Sequence, residues 1–127
     1  MAINNPYDSY RQNSVMYAKQ GDLTMMLYNG AINFVKQGAE YIGQKQIEGA
    51  SNALIRAQEI ISYLTETLNW EYEVSNNLGA LYFYINRQLA AANINKDREM
   101  LDEVLDLLED LRQTWREALD RANSPGS

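Results

Sequence analysis

Residues 23–34 read LTMMLYNGAINF, and their apolar side chains recur every three or four positions. This spacing predicts an α-helix. One stripe consists of Leu23, Leu27, Ala31 and Phe34, and the apolar arc is widened by Met26, Tyr28 and Ile32. An arc wider than about 100° is typical of a helix with neighbours on more than one side. The helix therefore either lies deep in a bundle or offers part of its face to a partner.

The same helix extends beyond this stretch in both directions. Asp22 is a candidate N-cap, and the apolar pattern continues to about Gly43. Gly30 and Gly38 lie inside the helix, where a glycine costs roughly 1 kcal/mol relative to alanine. We therefore expect another chain segment to approach closely at both positions, and packing within a bundle is favoured over a bound peptide.

Three further amphipathic helices follow, separated by short polar turns. The turn after the first helix is predicted at Gln44 to Gly49, and Asp97 is a candidate cap of the last helix. The second stripe is Ala50, Leu54, Ala57, Ile61, Leu64 and Leu68, with Ile60 beside it. The third is Tyr72, Val74, Leu78, Leu81, Tyr82, Ile85, Leu89 and Ala92, with Phe83 and Tyr84 facing outward. The fourth is Leu101, Val104, Leu108, Leu111, Trp115, Ala118 and Ala122.

Short connections make consecutive helices antiparallel neighbours. The prediction is an all-α fold, an antiparallel up-down-up-down four-helix bundle over residues 22–123 with a mobile N-terminal segment over residues 1–21. Residues 124–127 are expected to be a disordered tail. The spacing of three and four also permits a self-associating coiled coil, although the short turns favour the bundle.

The N-terminal segment carries its own helix signal. Asn5 and Pro6 suit an N-cap and a first helical position, which places Tyr7 and Tyr10 on one face. So short a helix is not stable alone in water. Its apolar residues therefore predict that it docks on the bundle for at least part of the time.

Composition excludes several classes of function. The net charge of −6 argues against nucleic acid and anionic membrane surfaces as partners. No apolar run reaches the roughly 20 residues of a membrane span, and no signal peptide is recognisable, so a soluble cytoplasmic protein is expected. The chain has neither cysteine nor histidine, which removes thiolate chemistry and Glu-x-x-His metal sites. We therefore expect no enzyme activity, no metal and no cofactor.

Five stretches together resemble the flagellin-specific export chaperone family (FliS). They are NPYDSYRQNSV at 5–15, GDLTMMLYNGAINF at 21–34, ALIRAQEIISYLTETLNWEYE at 53–73, LYFYINRQLAAANINKD at 81–97 and LDEVLDLLEDLRQTW at 101–115. They cover nearly the whole chain in the family's order. Lys19 and Gln20 depart from it, since the family tends to have a small residue and proline before Gly21.

The resemblance implies a chaperone that binds the disordered C-terminal region of flagellin, prevents premature polymerisation and delivers flagellin to the flagellar type III export gate. It implies a lid containing Ile3, Tyr7 and Tyr10, which shifts when the partner wraps around the bundle. The groove contacts that we infer are Met26, Tyr28, Asn29, Ile32, Tyr72, Leu78 and Tyr82. A monomer or weak homodimer is expected. The alternative is a helical interaction module that self-associates through its surplus apolar face and has no flagellin client.

Overall fold

A computed structural model describes residues 20–123, which form four helices. Helix α1 spans Gln20–Gly43, α2 spans Ile47–Glu66, α3 spans Glu73–Asn95 and α4 spans Arg98–Asn123. Helix α1 contacts α2 and α4, and α3 contacts the same two helices from the opposite corner. The predicted up-down-up-down bundle is confirmed.

The first turn is tighter than the sequence suggested, and the connection between α2 and α3 is longer, since Leu68 and Tyr72 lie outside the helices. Helix α1 begins at Gln20, so Asp22 lies in its first turn and is not the N-cap that we predicted. The turn after α1 is shorter than predicted, because Lys45 adopts a left-handed conformation at φ 61° and α2 starts at Ile47. The predicted cap at Asp97 is confirmed, since its Oδ1 accepts a hydrogen bond from the Glu99 amide at 2.9 Å.

The core is a continuous apolar cluster along the bundle axis. Its fully buried members come from all four helices and include Tyr28, Ala31, Ile32, Val35, Leu54, Ala57, Ile61, Ile85, Leu89, Leu101, Val104 and Leu108. The buried face of α1 is therefore the arc through Tyr28 and Val35. Of the predicted stripe, Ala31 belongs to the core, Leu27 and Phe34 pack at its edge, and Leu23 is half-buried.

Two glycines bring α1 and α2 together. A Cβ at Gly38 would lie 2.6 Å from Leu54 Cδ2, and one at Gly30 would lie 3.3 Å from Ile60 Cδ1. Distances below 3 Å require a neighbouring atom to move. The glycines therefore serve close packing within the bundle, as predicted.

Candidate functional site

Three of the predicted groove residues lie in the closed core. Tyr28, Ile32 and Tyr82 are almost completely buried. The hydroxyls of Tyr28 and Tyr82 are 2.5 Å apart and share a hydrogen bond that crosses the bundle from α1 to α3. Burial raises the pKa of both phenols above the ordinary value of 10, so both remain neutral at physiological pH. A partner could contact these side chains only if the bundle opened.

The other four predicted groove residues differ in exposure and in their contacts. Met26 is exposed on α1, Tyr72 is exposed just before α3, and Leu78 is half-buried against the core. Asn29 accepts a hydrogen bond from Arg112 Nη1 at 2.8 Å, which ties α1 to α4. Partner contact by these residues stays a prediction, and the lid residues Ile3, Tyr7 and Tyr10 lie outside the described part of the chain.

A shallow apolar groove instead runs between α1 and α2. Its volume is about 450 Å³, and its lining residues are Leu23, Leu27, Phe34, Arg56, Glu59, Ile60 and Tyr63. The guanidinium of Arg56 lies 5.9 Å from the centre of the Phe34 ring, a distance compatible with a cation–π contact. The floor of this groove is apolar, and charged groups stand at its rim.

The groove continues over the outer face of α2. Glu59 and Tyr63 also border a second, open depression of about 560 Å³, which is lined further by Ile55, Gln58, Ser62 and Glu66. Tyr63 is 46% exposed and stands between the two depressions. The two depressions therefore meet at this side chain.

The sequence indicates this groove, because α1 and α2 carry more apolar residues than contact with one neighbouring helix requires. Leu23, Leu27 and Phe34 form a stripe on α1, and Ile60 widens the stripe of α2. The structure places both sets side by side at the mouth of one groove. The periodicity thus shows that each helix carries extra apolar residues, but it does not show which arc of each helix faces the core.

Residues 20–123 contain neither a candidate metal-binding cluster nor a candidate membrane span. No group of three or more acidic side chains in this range could hold a metal ion. None of the four described helices is both long enough and apolar enough to cross a bilayer. The acidic residues of α4 lie mainly on its exposed face.

Comparison with known proteins gives consistent matches along the chain. The family model described as flagellar protein FliS matches residues 3–122. The flagellar secretion chaperone FliS of Bacillus subtilis is 44% identical, over 100% of this chain and 97% of its own length. The protein of the same name from Escherichia coli is 31% identical, over 85% of this chain and 82% of its own.

A solved structure supports the fold. It is described as a flagellar chaperone from bacteria, has a TM-score of 0.78 and is 21% identical in sequence. The match covers 91% of this chain and 96% of the other.

Proposed function

We propose that this chain, which belongs to the FliS family of flagellar proteins, binds the disordered C-terminal region of flagellin. By this binding it keeps flagellin from polymerising prematurely. It then delivers flagellin to the flagellar type III export gate. It acts in the cytoplasm, without catalysis and without a metal or cofactor. Membership of the family supports the role of a flagellar secretion chaperone, whereas flagellin as the client and the export gate as the destination are proposed.

The observation that carries the proposal is the apolar groove between α1 and α2. Five of its lining side chains are aliphatic or aromatic: Leu23, Leu27, Phe34, Ile60 and Tyr63. Exposed apolar surface of this kind, rimmed by charged groups, is typical of a site for an amphipathic helix.

Energetics favour a client that covers more than this groove. Burying one large apolar side chain contributes about 1.5–3 kcal/mol. Ordering a disordered segment on binding costs about 2–5 kcal/mol or more. Because one shallow groove leaves little net affinity, the client must wrap around further surface, and the adjoining depression beside Ile55 on α2 offers it.

The N-terminal segment is proposed to compete with the client for part of this surface. The segment precedes α1, which begins one turn before the groove residue Leu23. Deletion of residues 1–15 is therefore expected to raise client affinity, and Tyr10→Ala to raise it less. Unchanged affinity in both variants contradicts the competition.

The test is calorimetric titration of the full chain with a peptide covering a flagellin C-terminal region, alongside a scrambled peptide. Binding near one to one is expected, with a negative heat-capacity change and a gain of helical circular dichroism. No heat at several temperatures, together with no helical gain, removes that flagellin as a client.

Two matched variants locate the binding surface. Tyr63→Glu places a charge in the groove, and Ile94→Glu places one on an exposed apolar side chain of α3 outside it. The first is expected to lower affinity at least about tenfold, because a desolvated carboxylate costs more than about 1.4 kcal/mol, and the second to leave it within about twofold. Equal losses would contradict the location in the groove.

The expected monomer or weak homodimer is tested by sedimentation without any client. A tight dimer at low micromolar concentration, disrupted by Tyr63→Glu, would favour the self-associating module over the chaperone. The groove would then be the interface between two copies.

A further inference from the structure

A second exposed surface lies at the connection between α2 and α3. Trp70, Tyr72 and Val74 are 53%, 64% and 59% exposed, and we call these three residues the end patch. They alternate with Glu71 and Glu73, which are exposed as well. None of the groove-lining residues belongs to the end patch.

Hydrogen bonds within the connection hold the end patch in one conformation. The carbonyl oxygen of Asn69 accepts from the Ser75 hydroxyl at 2.5 Å and from the Tyr72 amide at 3.2 Å. The side-chain oxygen of Asn69 accepts from the Glu71 amide at 3.0 Å. Ser75 is buried, so the connection is anchored to the first turn of α3.

The Trp70 ring is also seated by packing. A Cβ at Gly79 would lie 2.9 Å from Trp70 Cζ3 and would overlap the ring further at Cη2. Glycine therefore leaves room for one edge of the indole on α3, while the rest of the ring faces solvent. A large aromatic side chain that is already ordered loses little conformational entropy on binding, which is a property of binding hot spots.

The charges beside the end patch restrict its occupant. Within residues 20–123, neither Glu71 nor Glu73 forms an ion pair. A second copy of this chain would bring the same two carboxylates and a net charge of −6, so charge repulsion opposes self-association here. Anionic membranes and nucleic acids are disfavoured for the same reason. A basic surface with an apolar centre is complementary.

We propose that the end patch is a docking site for a basic amphipathic helix of a partner protein. The apolar side of that helix covers Trp70, Tyr72 and Val74, and its lysine or arginine residues meet Glu71 and Glu73. This site is separate from the α1–α2 groove and does not rest on the proposed flagellin client.

The test is NMR titration of the full ¹⁵N-labelled chain with a short helical peptide of leucine and lysine. A peptide of leucine and glutamate with the same pattern is the control. The lysine peptide is expected to shift the Trp70 indole signal and the amides of residues 71–74, while the glutamate peptide leaves them unchanged. Equal shifts with both peptides, or shifts confined to α4, overturn the proposal.

Variants that remove negative charge test whether Glu71 and Glu73 contribute to peptide binding. The double variant Glu71→Gln, Glu73→Gln is expected to weaken the lysine peptide by about fivefold, since two exposed ion pairs are lost. The matched control Asp102→Asn, Asp106→Asn on the exposed face of α4 is expected to change affinity less than twofold. If both double variants weaken peptide binding equally, the proposal is overturned, because the lysine peptide is then attracted only by the net charge of the protein.

Two measurements without peptide distinguish other occupants. Trp70 signals that shift with protein concentration assign the end patch to self-association, and signals that shift on deletion of residues 1–15 assign it to the chain's own N-terminal segment. Either outcome overturns the proposal. The lysine peptide is expected to bind equally well to Tyr63→Glu, so failure of the groove hypothesis leaves this site standing.

Discussion

The hydrogen bond between Tyr28 and Tyr82 gives the sharpest prediction about this fold. The two hydroxyls meet across the bundle from opposite helices, 54 positions apart in sequence. This hydrogen bond pairs each hydroxyl with the other inside the core. Changing one tyrosine to phenylalanine therefore leaves the other hydroxyl buried and unpaired.

The expected magnitudes follow from this geometry. An unpaired buried hydroxyl costs about 1–3 kcal/mol of the free energy of unfolding, whereas removing both partners is close to neutral. Tyr28→Phe and Tyr82→Phe are thus each expected to cost about 1–3 kcal/mol. The double variant is expected to cost less than either single variant, and its shortfall from the sum of the two single costs is the coupling energy of the pair.

The assay is urea unfolding followed by circular dichroism. With a slope of about 2 kcal/mol per molar urea, each single variant should lower the midpoint by about 0.5–1.5 M. Tyr63→Phe is the control, because its hydroxyl lies on an exposed side chain, and it should change stability by less than about 0.5 kcal/mol. If the two single costs add up in the double variant, the hydroxyls are not paired and the reasoning is refuted.

Four further predictions concern the same bundle. The pKa values of the buried tyrosines Tyr28 and Tyr82 are raised, so their contribution to stability is fully present below about pH 10 and is lost above it, because the unfolded chain loses the phenolic protons first. Urea midpoints from about pH 9 to about pH 11 measure this loss, and a flat profile contradicts it. Lys45→Gly should raise the unfolding free energy by about 0.5–1 kcal/mol, because glycine adopts φ 61° without strain. Lys96→Gly should raise the unfolding free energy less than Lys45→Gly does, because it also removes the hydrogen bond from Lys96 Nζ to Ser51 Oγ at 3.0 Å. Equal increases in the same urea assay would show that this hydrogen bond contributes nothing to stability. Gly79→Ala should displace the Trp70 ring and shift its indole NMR signal but not that of Trp115, and an unchanged Trp70 signal would refute the packing.

The helices were predictable because their signals are local. The spacing of apolar residues at three and four predicted all four, and the Asp97 cap was visible as an acidic side chain ahead of an apolar run. Boundaries that depend on a turn were less accurate. The start of α2 at Ile47 depends on a left-handed Lys45, and lysine carries no sequence signal for that conformation.

The orientation of helix faces was only partly predictable. Phe83 and Tyr84 are exposed as expected, but Tyr72 and Val74, which the spacing placed on an inner stripe, are exposed too. The helix begins only at Glu73, so Tyr72 precedes it and Val74 lies in its first turn, beyond the reach of the core. A periodic pattern does not show where a helix ends relative to its neighbours.

The sequence by itself determined the helix content, the antiparallel order, the absence of cysteine and histidine chemistry and the resemblance to a flagellar chaperone family. These follow from local periodicity, short connections and residue types. Only the tertiary structure decided that Tyr28 and Tyr82 pair inside the core while Leu23, Leu27 and Tyr63 border a groove. When the apolar arc of a helix is wider than one helix contact requires, the helix can bury it in several rotations about its own axis. Packing against residues distant in sequence selects one of these rotations.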